Sequence, residues 1–245
     1  MTARRTRKGN DATAILDKPR SRRMTAKQSS DAEDNGKTAR VQVQISPPNM
    51  QTAEFRVIGT TPYIQQRFGE KARSAMQGAQ EGGQPAKNIR KRGPKDFKAL
   101  YEQAQYRAAN GNWNGIPAMS FRLAMISACR LTGFAMTRAK LAVFVEADGV
   151  DRAEGKPLVR IKGKPKMLIS PVRNADGGMD LRARPCWDVW ECVVRVRYDA
   201  DQLTLNDVTN LLMRAGVQVG IGEGRADSRQ KPGEGHGAFK IESAG

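Results

Sequence analysis

The chain has 245 residues and a formal net charge of +17, from 42 Lys and Arg against 25 Asp and Glu; its pI is about 10.2 and its mean hydropathy −0.61. So large a positive excess points to a polyanionic partner, nucleic acid first and an anionic membrane surface second. Three cysteines (Cys129, Cys186, Cys192) without a CxxC pair, and a single histidine, His236, argue against a disulfide scaffold, a zinc module or a histidine-based triad, and for the reducing cytoplasm.

Residues 1–40 hold 11 Lys and Arg against 5 Asp and Glu and few large apolar side chains. Such a segment cannot repay its ordering entropy, so a disordered basic arm is expected, either gripping nucleic acid or simply solubilising. No apolar stretch follows MTARRTRKGN, and Asp11, Asp17, Asp31, Glu33 and Asp34 interrupt the basic residues. Neither a secretory signal nor a mitochondrial presequence fits. No run of about 18 apolar residues exists, so no membrane span is expected.

VQVQI (41–45) alternates as a strand and Pro47 and Pro48 stop it; AEFRVIG (53–59) alternates again, with Phe55 and Val57 on one face. Residues 60–95 carry few apolar anchors and read as a surface loop or extended insertion. That insertion holds the basic run Lys87, Arg90, Lys91, Arg92 and Lys95, which either grips phosphates or is a solvated loop. Phe97, Leu100, Tyr101 and Ala104 recur at helical spacing, so a helix is expected over 95–108, ended by Asn110 and Gly111. Tyr63, Phe68, Tyr106 and Trp113 are candidates for stacking on bases, although aromatic residues at such spacing more often pack a core.

The segment 118–133 predicts a buried helix, with Phe121, Ala124, Met125 and Ala128 on one stripe, Leu123, Ile126 and Leu131 widening it, and Gly133 as the stop. LAVFVEA (141–147) reads as a central strand. Asp148, Asp151 and Glu154 follow; a divalent ion could use them, but a solvated turn is the simpler reading. Residues 156–187 read as a basic hairpin, in which Arg160 and Lys162 alternate with Val159 and Ile161, and Arg182 and Arg184 with Leu181 and Ala183. Lys164 and Lys166 extend its charge. WECVVRVRY (190–198) predicts a strand with Trp190, Cys192, Val194, Val196 and Tyr198 inward and Glu191, Val193, Arg195 and Arg197 outward. If that outer face is open, it is a basic platform; if an insertion covers it, the arginines pair with acids.

LTLNDVTNLLMRAG (203–216) predicts a helix capped by Thr204 and Asp207, with Leu205, Val208, Leu211, Leu212 and Ala215 buried and Gly216 in the left-handed position after its end. A glycine-rich segment (216–237) separates it from a closing strand at 238–242. Gly220, Gly222 and Gly224 suggest a dinucleotide fingerprint, but this loop follows a helix and enters a strand, the reverse of that motif, and no P-loop sequence occurs. No cofactor or metal is therefore expected. A loop with Arg225, Arg229 and Lys231 can instead bring backbone N–H groups close to phosphates, where a Cβ would block the approach. The bland alternative is a mobile connection to an edge strand. His236 sits alone among these glycines, so the chain is not expected to be an enzyme.

The confident elements run strand, helix, strand, strand, helix, strand. The expected fold is α+β, a ferredoxin-like (RRM-like) βαββαβ core over 41–245, with large basic insertions at about 60–117 and 150–187. The series helix, G-x-G-x-x-R, basic linker, G-x-G-x-F, carried by Gly220, Gly222, Arg225, Gly235, Gly237 and Phe239, resembles the C-terminal signature of the RAMP superfamily. These are the RRM-like subunits that form the RNA-binding backbone of CRISPR effector complexes. The resemblance spans about 60 C-terminal residues and the element order, and the linker RADSRQKPGE is longer than that signature's. It implies a loop near bound RNA and insertions that meet neighbouring subunits; a phage-encoded relative with another nucleic-acid partner fits equally. The expected function is sequence-nonspecific binding of RNA or single-stranded DNA by its phosphates, as repeated subunits along a strand. The alternatives are a virion or shell protein and a metal-independent endoribonuclease using His236.

Overall fold

A computed structural model describes residues 45–67, 69–81, 94–173, 178–228 and 233–243. The chain divides into two units, Met1–Ile45 and Ser46–Gly245. The expected arm, and all but Ile45 of the strand expected at 41–45, lie outside the described residues; Ile45 itself is exposed and in no strand.

The second unit is mixed α and β, and its strand pairings are antiparallel. In chain order it runs β1 (Met50–Gly59), β2 (Tyr63–Ile64), α1 (Glu70–Glu81), α2 (Phe97–Gln103), β3 (Gly115–Pro117), α3 (Ala118–Ala128), α4 (Met136–Ala142), β4 (Val143–Val145), β5 (Gly149–Val150), β6 (Pro157–Lys162), β7 (Lys166–Arg173), β8 (Met179–Trp187), β9 (Glu191–Asp199), α5 (Leu205–Arg214) and β10 (Phe239–Ser243). The main sheet has the order β10-β1-β9-β6-β3, with β4 also paired to β9 and β5 to β6; a smaller sheet has the order β2-β8-β7.

Alternation in β1 and β9 decides where the core sits. Phe55 and Val57 of β1 and Cys192, Val194, Val196 and Tyr198 of β9 are buried on one face, against Phe121, Met125 and Ala128 of α3 and Val208, Leu211 and Leu212 of α5. Each such large side chain contributes about 1.5–3 kcal/mol by leaving water. Aromatic rings close one end of this layer: Trp190 lies 5.7 Å from Tyr63 and 6.3 Å from Phe239, centroid to centroid. The capping box forms as the sequence implies: Thr204 Oγ1 accepts from Asp207 N–H at 3.2 Å, while the Asp207 carboxylate accepts from Thr204 N–H at 2.9 Å. Among the described residues no helix is long and apolar enough to cross a membrane.

Several expectations are corrected. Residues 60–67 are no loose loop, because Tyr63, Ile64 and Gln65 are buried. The helix expected over 95–108 stops at Gln103, and Gln105 and Tyr106 turn inward instead. Gln65 accounts for that turn: its Oε1 accepts from Tyr106 N–H at 2.8 Å, and its Nε2 donates to Gly115 C=O at 2.8 Å. Leu123, Leu131 and Leu205 are exposed rather than buried. Leu141 and Ala142 form the end of helix α4 instead of starting a strand, because Arg122 reaches over and donates to Val143 C=O at 2.9 Å and Lys140 C=O at 2.5 Å, satisfying the helix end. Gly216 does not hold the left-handed stop. A π-helical turn, Ala215–Val219, prolongs α5, and Gly220 takes the left-handed position at φ 73°.

The hairpin expected over 156–187 splits. Strand β6 joins the main sheet, and only β7 and β8 pair as a hairpin in the smaller one. In β8 the expected alternation of faces is not kept: Leu181 is 48% exposed, while Ala183 and Arg184 are both buried, as is the rest of the strand to Trp187.

Candidate nucleic-acid interface

The face of the main sheet opposite the helices carries Lys240 and Glu242 from β10, Glu54 and Arg56 from β1, Glu191, Val193, Arg195 and Arg197 from β9, and Arg160 and Lys162 from β6. Glu54, Arg56, Arg160, Lys162, Arg197 and Lys240 are exposed there, and Glu191, Val193 and Arg195 are half-buried. One register row crosses four strands: Lys162 opposes Glu191, Glu191 opposes Ile58, and Ile58 opposes Lys240.

Most of these cations already have an acid. Glu191 receives Arg56 at 2.7 Å and Lys162 at 2.8 Å, and their hydrogen bonds and charge hold its carboxyl below the usual range. Arg195 lies 2.5 Å from Asp148 and 3.7 Å from Glu146; the hydrogen bond it donates to Asp148 raises its pKa further. Lys240 lies 3.5 Å from Glu242. Lys166 is 2.6 Å from Asp188, and Lys95 pairs with Asp180 while donating to Leu181 C=O at 3.0 Å. Among the described residues, Arg160, Lys164 and Arg197 have no acidic partner. Arg197 rests over the Phe144 ring at 5.5 Å, and Arg160 lies 6.0 Å from the Trp113 ring.

The glycine-rich segment enters β10 at the same end of the sheet as Lys162 and the turn bearing Lys164. Its two arms are laced together and to β2 and the residue before it. Ile221 N–H donates to Gly237 C=O at 3.0 Å, Gly237 N–H to Pro62 C=O at 2.8 Å, Glu223 N–H to Ile64 C=O at 2.9 Å and His236 N–H to Gly224 C=O at 3.1 Å. Gly222 combines φ 78° with so close an approach that a Cβ would lie 2.5 Å from Ile64 O. Positive φ and close approach are thus both present, as the sequence implied, but the approached backbone is the protein's own. Gly224 and Gly235 flank His236, whose Nε2 is 2.9 Å from Glu234. The Arg225 guanidinium turns back to Gly222 C=O at 3.3 Å.

Loop and small sheet are joined by an ion pair that the sequence did not suggest. Arg184 Nη2 lies 2.6 Å from Glu223, and its Nε donates to Gln66 at 2.8 Å. Burial lowers the Arg184 pKa and raises that of Glu223, each against the pull of the other charge.

Of the four stacking candidates, Tyr63 and Tyr106 are buried, Phe68 lies outside the described residues, and Trp113 is part-exposed. Trp113 lines an open pocket of about 280 Å³ with Asp148, Arg160, Lys162 and Val193, at the β6 side of the open face. Asp151 and Glu154 do not form the solvated turn expected of them. Asp151 is buried and accepts from Arg107, Ala153 and Glu154 N–H, and Glu154 is held by Arg73 at 2.8 Å and Lys156 at 2.6 Å. Among the described residues no group of three His, Cys, Asp or Glu is placed to hold a metal ion. Lys87, Arg90, Lys91, Arg92, Arg229 and Lys231 lie outside the described residues. No protein-family model matches the chain, and no curated protein is found to resemble it.

Proposed function

We propose that this protein binds single-stranded RNA or DNA by its phosphate backbone, with little regard to sequence, on a ferredoxin-like, RAMP-type core. The observation that carries the reading is the open sheet face, where Arg160 and Arg197 lack acidic partners among the described residues and lie beside the rings of Trp113 and Phe144. Cations beside aromatic rings on an exposed sheet suit a flexible strand, whose phosphates and unstacked bases are both within reach. The net charge of +17 supports a polyanionic partner.

The core reading draws support from β1, α3, β4, β9, α5 and β10. They follow the βαββαβ order, their strands lie in the order β10-β1-β9-β4, and both helices pack on one face. The remaining elements are then two insertions, one between β1 and α3, the other between β4 and β9, with α4 as an added short helix between α3 and β4. In this reading repeated copies line a strand and the insertions meet their neighbours.

Binding of a labelled mixed-sequence single strand, followed by fluorescence polarisation, tests the function. Affinity is expected to fall by at least about tenfold between roughly 50 and 200 mM salt, since each neutralised phosphate releases counterions. An affinity unchanged across that range overturns the proposal. A shell protein is the second reading, favoured by the apolar face of the β7–β8 hairpin, where Met167, Ile169, Met179 and Leu181 are exposed. Assembly of nucleic-acid-free protein into regular particles would favour it.

A further inference from the structure

Trp113 has a seat built for it. A Cβ on Gly115 would lie 3.0 Å from its Cζ3, one on Gly149 2.9 Å from its Cζ2, and one on Gly111 3.1 Å from its Cδ1. Gly111 and Gly115, two residues either side of Trp113, and Gly149 from a separate segment thus forgo side chains where the indole lies. The ring is part-exposed and lines a pocket whose other walls are Asp148, Arg160, Lys162 and Val193. A tryptophan serving only the core is enclosed, as Trp187 and Trp190 are at 0% and 1% exposure; this one is held at its edges and left accessible.

On these grounds we infer that Trp113 is the stacking platform for one unpaired base, a subsite within the strand-binding face; the inference rests on the nucleic-acid reading above. The pocket's size, about 280 Å³, falls just under the roughly 300–1,000 Å³ typical of ligand pockets, which suits one ring system rather than a whole cofactor. The Arg160 guanidinium lies 6.0 Å from the ring centroid, at the outer limit of a cation–π contact. A planar base takes its place against the indole and leaves Arg160 and Lys162 to the adjoining phosphates. Asp148 is already engaged: one carboxylate oxygen accepts from Arg160 N–H at 2.7 Å and the other from Arg195 at 2.5 Å. Both oxygens are thus held by the protein's own donors, and stacking itself is tolerant of base identity, so the subsite takes any base. A duplex, whose bases are stacked and paired, has none to offer.

Intrinsic fluorescence tests this directly, because Trp113 is the one accessible ring of three tryptophans. The full chain is titrated with an oligothymidylate, with an abasic oligomer of equal length, and with inorganic polyphosphate. The expected result is quenching by oligothymidylate alone, although all three bind by polarisation or competition. Trp113→Phe removes the quenching and weakens oligothymidylate binding, while Trp113→Ala weakens it further, by about 5- to 150-fold. Affinity for the abasic strand stays as in the wild type, which also shows that the variants fold. Equal quenching by the abasic strand overturns the subsite and leaves phosphate binding standing. Failure of all three polyanions to bind overturns the function itself.

Discussion

Glu154 shows how much a single charged side chain can organise around itself. Its side chain is 3% exposed and lies 3.3 Å from Arg67, 2.8 Å from Arg73 and 2.6 Å from Lys156. Burial pushes its carboxyl up, but the hydrogen bond and charge of Lys156, with Arg73 and Arg67, outweigh burial and hold it below its ordinary value of 4.5. A carboxylate with a lowered folded pKa contributes stability that is fully present above the unfolded value and is lost as pH falls through the folded one. Glu154→Gln is therefore expected to destabilise the fold by about 1 kcal/mol at pH 7, since it removes the buried charge that Arg67, Arg73 and Lys156 face, the last two of them half exposed to water. Denaturant unfolding should also find the variant's stability less sensitive to pH than the wild type's below about pH 4.5. A pH profile parallel to the wild type's down to pH 3 contradicts the assignment. This role was not legible in the sequence. Asp151 and Glu154 read there as a solvated turn because, Lys156 apart, the charged partners Arg67 and Arg73 and the Arg107 N–H come from 44 or more residues away, and spacing carries no sign of them.

At the scale of elements, alternation and capping were legible wherever one face meets the core. Strand β9 buries every second residue from Cys192 to Tyr198, and α5 starts at the capping box that Thr204 and Asp207 imply. Legibility failed where tertiary partners outrank local pattern. The alternation expected for β8 fails beyond Arg182, because Glu223 and Gln66 receive Arg184 in the interior beside a buried Ala183, while Leu181 faces out. Strand β4 was foreseen too long, because Arg122 closes α4 just before it. The glycine loop was half legible: positive φ and close approach could be inferred, but not the surface approached. Gly222→Ala separates the two roles. Its Cβ meets Ile64 O and the Tyr63 ring, at φ 78°, so a loss of about 1–3 kcal/mol is expected. Thermal unfolding reads this out. Strand affinity measured well below the melting transition should stay within about twofold, since no phosphate contact is removed; a tenfold loss of affinity with unchanged stability would instead place the loop on the nucleic acid.

For the whole molecule, the question is which charges are available to a polyanion. A net charge says little when acids lie beside the bases: Lys162, Lys166, Arg195 and Arg56 each have a carboxylate within 3 Å. A phosphate meeting such a cation must displace the carboxylate or share it, so fewer counterions are released per contact. Lys164 is different. It is exposed, has no acidic partner among the described residues, and sits in the turn after β6, one residue beyond Gly163 at φ 116°. The salt dependence of strand binding can tell these cations apart where affinity at one salt concentration cannot. Each single-strand phosphate contact contributes about 0.7 to the slope of log affinity against log salt. Lys164→Ala is therefore expected to flatten that slope by about 0.7. Lys166→Ala is expected to change it by less than half as much, because Asp188 at 2.6 Å already neutralises that ammonium. Asp188→Asn frees Lys166 and should steepen the slope. If Lys164→Ala and Lys166→Ala flatten it equally, the ion pairs of the free protein do not persist on the strand, and the bound surface is the full set of cations rather than the unpaired ones.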